Sequence, residues 1–149
     1  MITTSTETFE KRIRSFVEKM NRDYADSVFG MMKPEYAGCN LAGQELTLSY
    51  PAQSWERNPT GAIHGGILGT MIDTSMGTLT YALTGGLTPT INLTVSYLRP
   101  APGSERIFIR AKASRIGRSV AYVTAEIWAE SAPDKLVATA EGTFRSYAE

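Results

Sequence analysis

The sequence predicts an α+β fold in which one antiparallel sheet wraps a single long, buried helix. Three observations point to it. Residues 65–84 carry apolar side chains around most of a helical circumference, the pattern of a helix surrounded by protein. One strand-like segment precedes this helix, and a run of segments that alternate apolar and polar residues follows it, separated by turn-prone residues; that is the pattern of an antiparallel meander. A chain of 149 residues suits one domain, 1–149, able to bury a core without metals or disulfides.

The elements follow in order. Phe9, Ile13, Phe16, Val17 and Met20 fall at helical spacing with charged residues between them, which predicts an amphipathic helix over 6–20. Thr4 with Glu7 resembles a capping box. "DYADSVFG" reads as one further short helix ended by Gly30, and "MMKPEYAGCN" as a loop leading to a strand. Met31 and Met32 suit either a pocket lining or plain core filling, the commoner role. Leu46, Leu48 and Tyr50 alternate with polar residues up to Pro51, a half-buried strand.

Next comes the central helix, with Ile67, Leu68, Met71, Ile72, Met76, Leu79 and Leu83. Gly69 and Gly77 each cost it about 1 kcal/mol relative to alanine, so a close backbone approach is expected to compensate. "TINLTVSYL", "ERIFIRAKA", "SVAYVTAEIW" and "LVATAEGTF" are the strands of the meander, with "RPAPG" and "SAPD" as turns. The sheet is therefore expected to hold five or six strands.

Composition excludes several function classes. Lys plus Arg and Asp plus Glu each number 15, for a net formal charge of zero, so no polycationic surface is available for nucleic acid or an acidic membrane. Cys39 and His64 are the only Cys and His, so no internal disulfide forms and no zinc site of the usual ligands can be assembled in one copy. Metal-free chemistry without a bound cofactor, in a reducing cytoplasm, is the expectation. The first residues lack a basic region followed by an apolar block and do not read as a secretory signal, and no segment is apolar enough to span a membrane.

The chemistry concentrates in "NPTGAIHGGILGTMIDT", residues 58–74. An ionised carboxylate among apolar neighbours is unfavourable unless it is paired or faces a cavity. Asp73 is thus either a buried acid satisfied by a backbone amide or an Arg, or a catalytic carboxylate. Gly65 and Gly66 stand where the helix begins, with amide N–H groups at the positive end of its dipole and no side chain to obstruct a ligand oxygen. They outline an oxyanion hole, or merely permit a tight entry turn; His64 alone reads as a packed or capping residue. Gly66 and Asp73 are seven residues apart, so they share a helix face yet stand about 10 Å apart along the axis. General-base chemistry needs contact near 3 Å. If both act on one carbonyl, Asp73 must come from a second copy, as in a two-fold dimer with antiparallel helices.

This motif resembles the signature of the hotdog-fold acyl-CoA thioesterases, in the branch related to the phenylacetate-pathway thioesterase and thioesterase superfamily member 2. Asn stands six positions before His, Gly-Gly follows, and an acid lies seven beyond the second glycine; the likeness runs from about residue 40 to 147. It implies a homodimer, commonly paired into a tetramer, that hydrolyses an acyl-CoA or aryl-acyl-CoA to free acid and CoA, with CoA as part of the substrate rather than a cofactor. It implies that Gly66 N–H, beside Gly65, polarises the thioester carbonyl, that His64 and Asn58 orient the substrate, and that the partner's Asp73 activates water or attacks directly. Thr90 takes the place where relatives offer a hydroxyl to the water; Thr74 is a lesser candidate. The same resemblance puts CoA near Tyr97 and near "RIGRS", with Arg115 and Arg118 suited to phosphate, Gly117 allowing close approach, and Ser119 beside them; Arg145 is a weaker candidate. A solvated turn is the plain alternative for that stretch. Residues 1–40, read as a helical extension to a core of 41–147, carry no family signature and are free to cover an acyl tunnel.

Two rival readings fit the same residues. One is a hydratase or dehydratase on the same fold, disfavoured by an acid placed on the helix; the other is a non-catalytic acyl-CoA binding module. "DTSMG" around Ser75 lacks the first glycine of a nucleophile elbow and lies within the helix, against a serine hydrolase.

Overall fold

The structure is a computed structural model that describes residues 5–147. The chain runs α1 (Thr6–Asp23), α2 (Val28–Met32), β1 (Glu35–Asn40), β2 (Glu45–Tyr50), a 3-10 turn (Ser54–Glu56), α3 (Gly65–Thr84), β3 (Thr90–Tyr97), β4 (Ile107–Ile116), β5 (Val120–Ala129) and β6 (Leu136–Arg145). The strands form one antiparallel sheet in the order β1-β2-β4-β5-β6-β3. It wraps α3, which packs against β2 to β6. This is the hotdog arrangement the sequence predicts.

Alternation drives the wrapping. Ile107, Ile109, Ala111 and Ala113 of β4, and Ala121, Val123, Ala125 and Ile127 of β5, turn one face to the helix and are buried, while Arg110, Lys112, Tyr122 and Glu126 face out. Leu68, Met71, Ile72, Met76, Leu79 and Leu83 of α3 fill the concavity. The helix also buries hydroxyls, but Thr78, Thr80 and Thr84 donate to the carbonyls of Thr74, Met76 and Thr80, each four residues back. The hydroxyls of these three are thus satisfied within the helix, while Ser75 bonds the Tyr50 hydroxyl of β2 at 2.8 Å. Tyr50 is fully buried and donates its hydroxyl to Met71 O at 3.0 Å, and burial pushes that phenol above its ordinary range.

Four expectations need correction. The N-cap of α1 is Ser5, whose side chain accepts from Thr8 N at 3.1 Å; Thr4 lies outside the described residues. Gly30 does not end the second helix, which runs on to Met32 and is capped by Lys33; it is glycine because a Cβ there would lie 2.1 Å from Tyr24 O. "EYAGCN" is not a loop but the edge strand β1, paired with β2, so the helical extension stops at Met32 and the sheet begins before residue 41. Its apolar content is too sparse for periodicity to mark it. Finally, among the described residues of one copy no backbone presses on Gly69 or Gly77: an added Cβ would meet Tyr97 Oη at 3.5 Å or Phe144 Cε1 at 3.7 Å, both ordinary contacts.

Strand β3 differs from its neighbours. It lies at a sheet edge, and its helix-facing Leu93 and Val95 are only half-buried, whereas Val123 and Ile127 on β5 are 1% and 0% exposed. Ile91, Tyr97 and Leu98 are each more than half exposed.

Candidate active site

The segment before α3 is held by its own hydrogen bonds. Asn58 Oδ1 accepts from Thr60 N at 3.0 Å, Thr60 Oγ1 at 2.7 Å and Ala62 N at 3.2 Å, so this carboxamide oxygen shapes the loop. Residues 101–103 clamp the same loop: Ile63 N donates to Ala101 O at 2.9 Å, Gly103 N to Gly61 O at 3.2 Å, and Arg57 Nε to Gly103 O at 2.9 Å. His64 emerges from the clamp as the N-cap of α3, and its Nδ1 accepts from Gly66 N at 3.0 Å. The amide that the resemblance assigns to an oxyanion thus rests on the imidazole, which is exposed. Gly65 N has no acceptor among the described residues, and Gly65 O accepts from Tyr97 Oη at 2.5 Å. Tyr97 therefore pins the first turn of α3 to the end of β3.

Asp73 sits two turns further on, part-exposed. Its carboxylate accepts from Thr90 Oγ1 at 2.5 Å and borders a cavity of about 190 Å³. Neither an Arg nor a backbone amide pairs with it among the described residues. It is therefore not a buried acid satisfied by a backbone amide or an Arg of its own copy. Thr74 lines the same cavity.

The site residues fall into two groups within one copy. Asn58, His64, Gly65, Gly66 and Tyr97 gather at the start of α3. Asp73 and Thr90 gather beyond its middle, and "RIGRS" shares their end of the sheet, since Thr90 pairs with Phe144, Phe144 with Ala121, and Val120 with Arg145. Arg115, Arg118 and Ser119 are exposed, and neither arginine makes an ion pair among the described residues. Gly117 has a local reason to be glycine: a Cβ would lie 2.7 Å from Val120 O in the tight turn. Arg145 lies over the Tyr147 ring, 5.5 Å from its centroid.

Sequence reasoning missed two features. Phe16 of α1 and Phe29 of α2 line the cavity beside Asp73; nothing in their own spacing separates them from core residues. The other is Glu56, 1% exposed, which lies in a polar stretch that gives no sign of burial. Its Oε1 accepts from Gln53 N at 3.0 Å, its Oε2 is buried without a partner, and its carbonyl accepts from His64 N at 2.8 Å. Burial raises its carboxyl from 4.5 to about 7. Between those values the folded chain holds a proton that the unfolded chain has lost, so stability falls as pH rises through this window. Once the group is charged the penalty is about 3 kcal/mol. Glu56→Gln keeps the acceptor and removes the charge; it is expected to raise the urea midpoint at pH 8 and leave it nearly unchanged at pH 4.

The family profile of the thioesterase superfamily matches residues 60–135, a span that begins after Asn58 and includes His64, the whole of α3 and the strands β3 to β5. The chain belongs to the thioesterase superfamily. A relative in that superfamily, a phenylacetic acid degradation-related protein from Ralstonia eutropha JMP134, is 33% identical, with a TM-score of 0.74 over 87% of this chain and 98% of that one. Zebra fish thioesterase superfamily member 2 shares the fold at 22% identity, with a TM-score of 0.76 over 89% of this chain and 96% of that one. The acyl-coenzyme A thioesterase THEM4 of Xenopus laevis is 35% identical over 82 residues, 54% of this chain. That match spans 36% of THEM4, about a third of its length. Among the described residues, no helix is long and apolar enough to cross a membrane, and no cluster of three or more His, Cys, Asp and Glu stands ready to hold a metal.

Proposed function

We propose that this chain is an acyl-CoA thioesterase that hydrolyses its substrate to free acid and CoA at sites shared between two copies. The observation that carries the reading is the cavity-facing carboxylate of Asp73, held by Thr90, on the same helix whose first amides stand at an exposed N-terminus. The two ends are about 10 Å apart along the axis, too far for one copy to serve one carbonyl.

Strand β3 supports the second copy. An unpaired edge with exposed apolar residues invites pairing with another strand, and a two-fold axis beside β3 would cover Ile91, Leu93, Val95 and Leu98. The two α3 helices would then run antiparallel, each carrying its Asp73 toward the other's Gly66. Such dimers can pair further into tetramers.

In this reading the thioester oxygen takes the Gly66 N–H from His64 Nδ1, with Gly65 N as a second donor. Asp73 of the other copy accepts a proton from a water whose oxygen attacks the carbonyl carbon. The tetrahedral intermediate collapses, the C–S bond breaks, and the CoA thiolate leaves and is protonated. Direct attack by the carboxylate, followed by hydrolysis of the anhydride, uses the same groups. One oxyanion donor contributes about 3 kcal/mol to such a transition state. Thr90 aims the carboxylate, Tyr97 and Asn58 hold the helix entry, and Arg115 and Arg118 of the copy that supplies Asp73 lie at the correct end to meet CoA phosphates.

Thiol release from a panel of aliphatic and aromatic acyl-CoAs tests the proposal. Equal yields of free thiol and acid are expected. Loss of enoyl absorbance from crotonyl-CoA without thiol would instead indicate a hydratase, and tight binding without turnover across the panel would indicate a binding module.

A further inference from the structure

The carboxyl of Glu56 is out of place in the segment that carries it. Ser54, Trp55 and Arg57 beside it are exposed, whereas Glu56 is buried at the end of the 3-10 turn. One carboxyl oxygen is used, accepting from Gln53 N at 3.0 Å; the other is buried with no partner among the described residues. A buried acid left half satisfied is unfavourable in either protonation state, and far more so when charged. An apolar side chain would fill the space without that penalty, so the carboxyl needs a reason other than packing.

Its backbone supplies one. Glu56 O accepts from His64 N at 2.8 Å, and His64 Nδ1 in turn accepts from Gly66 N at 3.0 Å. One residue thus anchors the turn that begins at Gln53, through its side chain, and the histidine that caps α3, through its carbonyl. The turn has a second tether, from Gln53 Nε2 to Met31 O at 2.8 Å. No charge compensates the carboxyl. Arg57 directs its Nε to Gly103 O, Lys33 and Glu35 lie across the cavity that Gln53 and Trp55 line, and Glu35 is paired with Arg106 at 2.9 Å. No ion pair reaches Glu56 among the described residues. Burial raises its carboxyl to about 7 against the opposing pull of the Gln53 amide, so the group changes charge near neutrality.

We propose that Glu56 is a positioning residue whose proton controls how His64 is presented. While protonated, the neutral carboxyl stays buried and the 53–57 segment holds the His64 amide. Once ionised, it draws water to the unpartnered oxygen, displaces that segment and loosens the entry of α3. The effect on turnover rests on the thioesterase reading; the motion itself does not.

The test compares the unaltered protein with Glu56→Gln, which keeps an acceptor for Gln53 N and carries no charge. Histidine labelled with 15N gives one backbone amide signal, since His64 is the only histidine. In the unaltered protein that signal is expected to shift in a step near pH 7 that the variant lacks; any step from the imidazole's own titration is common to both and cancels in the comparison. The kcat/KM for thiol release is expected to fall about ten-fold from pH 6 to pH 8 in the unaltered protein, with its circular dichroism spectrum unchanged, because a group that titrates at about 7 goes from about one-tenth to about nine-tenths ionised over that span. Glu56→Gln is expected to lose this fall. An acid that matters only to folding would move the urea midpoint and leave both profiles alike. The absence of an alkaline fall in the unaltered, active protein, or the same His64 amide titration in both proteins, would overturn the proposal. An unaltered protein that releases no thiol from any acyl-CoA would overturn the thioesterase reading instead, and the His64 amide would still decide the positioning role.

Discussion

Asp73→Asn is expected to give a folded, self-associating protein whose thioester turnover is about a thousand-fold lower, in the range that general acid–base groups contribute. The carboxamide oxygen still accepts the Thr90 hydroxyl that now lies 2.5 Å from Oδ1, so the local structure persists. What disappears is the ability to take a proton or to attack a carbonyl. The decisive form of the experiment uses a second inactive variant. Gly66→Val stands at the exposed helix start, where a Cβ 3.2 Å from the His64 ring requires that exposed side chain to shift, and its side chain obstructs a carbonyl approaching the amide. Refolding the two variants together should restore thiol release, because each mixed dimer holds one site with an intact Gly66 from one chain and an intact Asp73 from the other. Activity that stays absent in the mixture, with mixed dimers demonstrated by mass, would mean that the two residues do not share a site.

The second large effect is expected far from the reacting atoms, at Gly103. A Cβ there would lie 2.3 Å from Gly61 O and 2.8 Å from Arg57 Cγ, inside the clamp that presents His64. The backbone of the 58–63 loop has to move, at a cost of about 1–3 kcal/mol, as in other overpacked positions. A shift of about 1 Å in a positioning segment lowers turnover on the order of a hundred-fold. Gly103→Ala should therefore lose both stability and turnover, read by urea denaturation and thiol release. Gly38→Ala is the matched control, because a Cβ at Gly38 meets nothing within 4 Å; it is expected to change neither. Full activity in Gly103→Ala would show that the clamp does not position the site.

The elements legible in the sequence are those whose burial follows a clean period. α3 carries apolar residues all round because the sheet surrounds it, and β4 to β6 alternate because one face meets that helix. β1 was not legible: Glu35–Asn40 is a short strand at the sheet edge with its burial pattern broken by a bulge between Tyr36 and Gly38. The site was legible as a motif, since His64, Gly66 and Asp73 lie close in sequence. Its walls were not. Phe16 and Phe29 reach Asp73 from more than forty residues away, through packing of α1 and α2 that local spacing does not encode. The capping role of His64 was among the readings its position allowed, but its hold on the Gly66 amide depends on a backbone turn visible only in three dimensions.

Strand order carries a consequence for the growing chain on the ribosome. β3 follows α3 directly, yet its one neighbour in the sheet among the described residues is β6, made after β4 and β5. Until residues 136–145 have emerged, Thr90 has no ladder to fix it and the long helix α3 stays uncovered on that flank. At about 5–20 residues per second, the nascent chain spends seconds in that open condition, and a product ending before β6 lacks the support that aims Asp73.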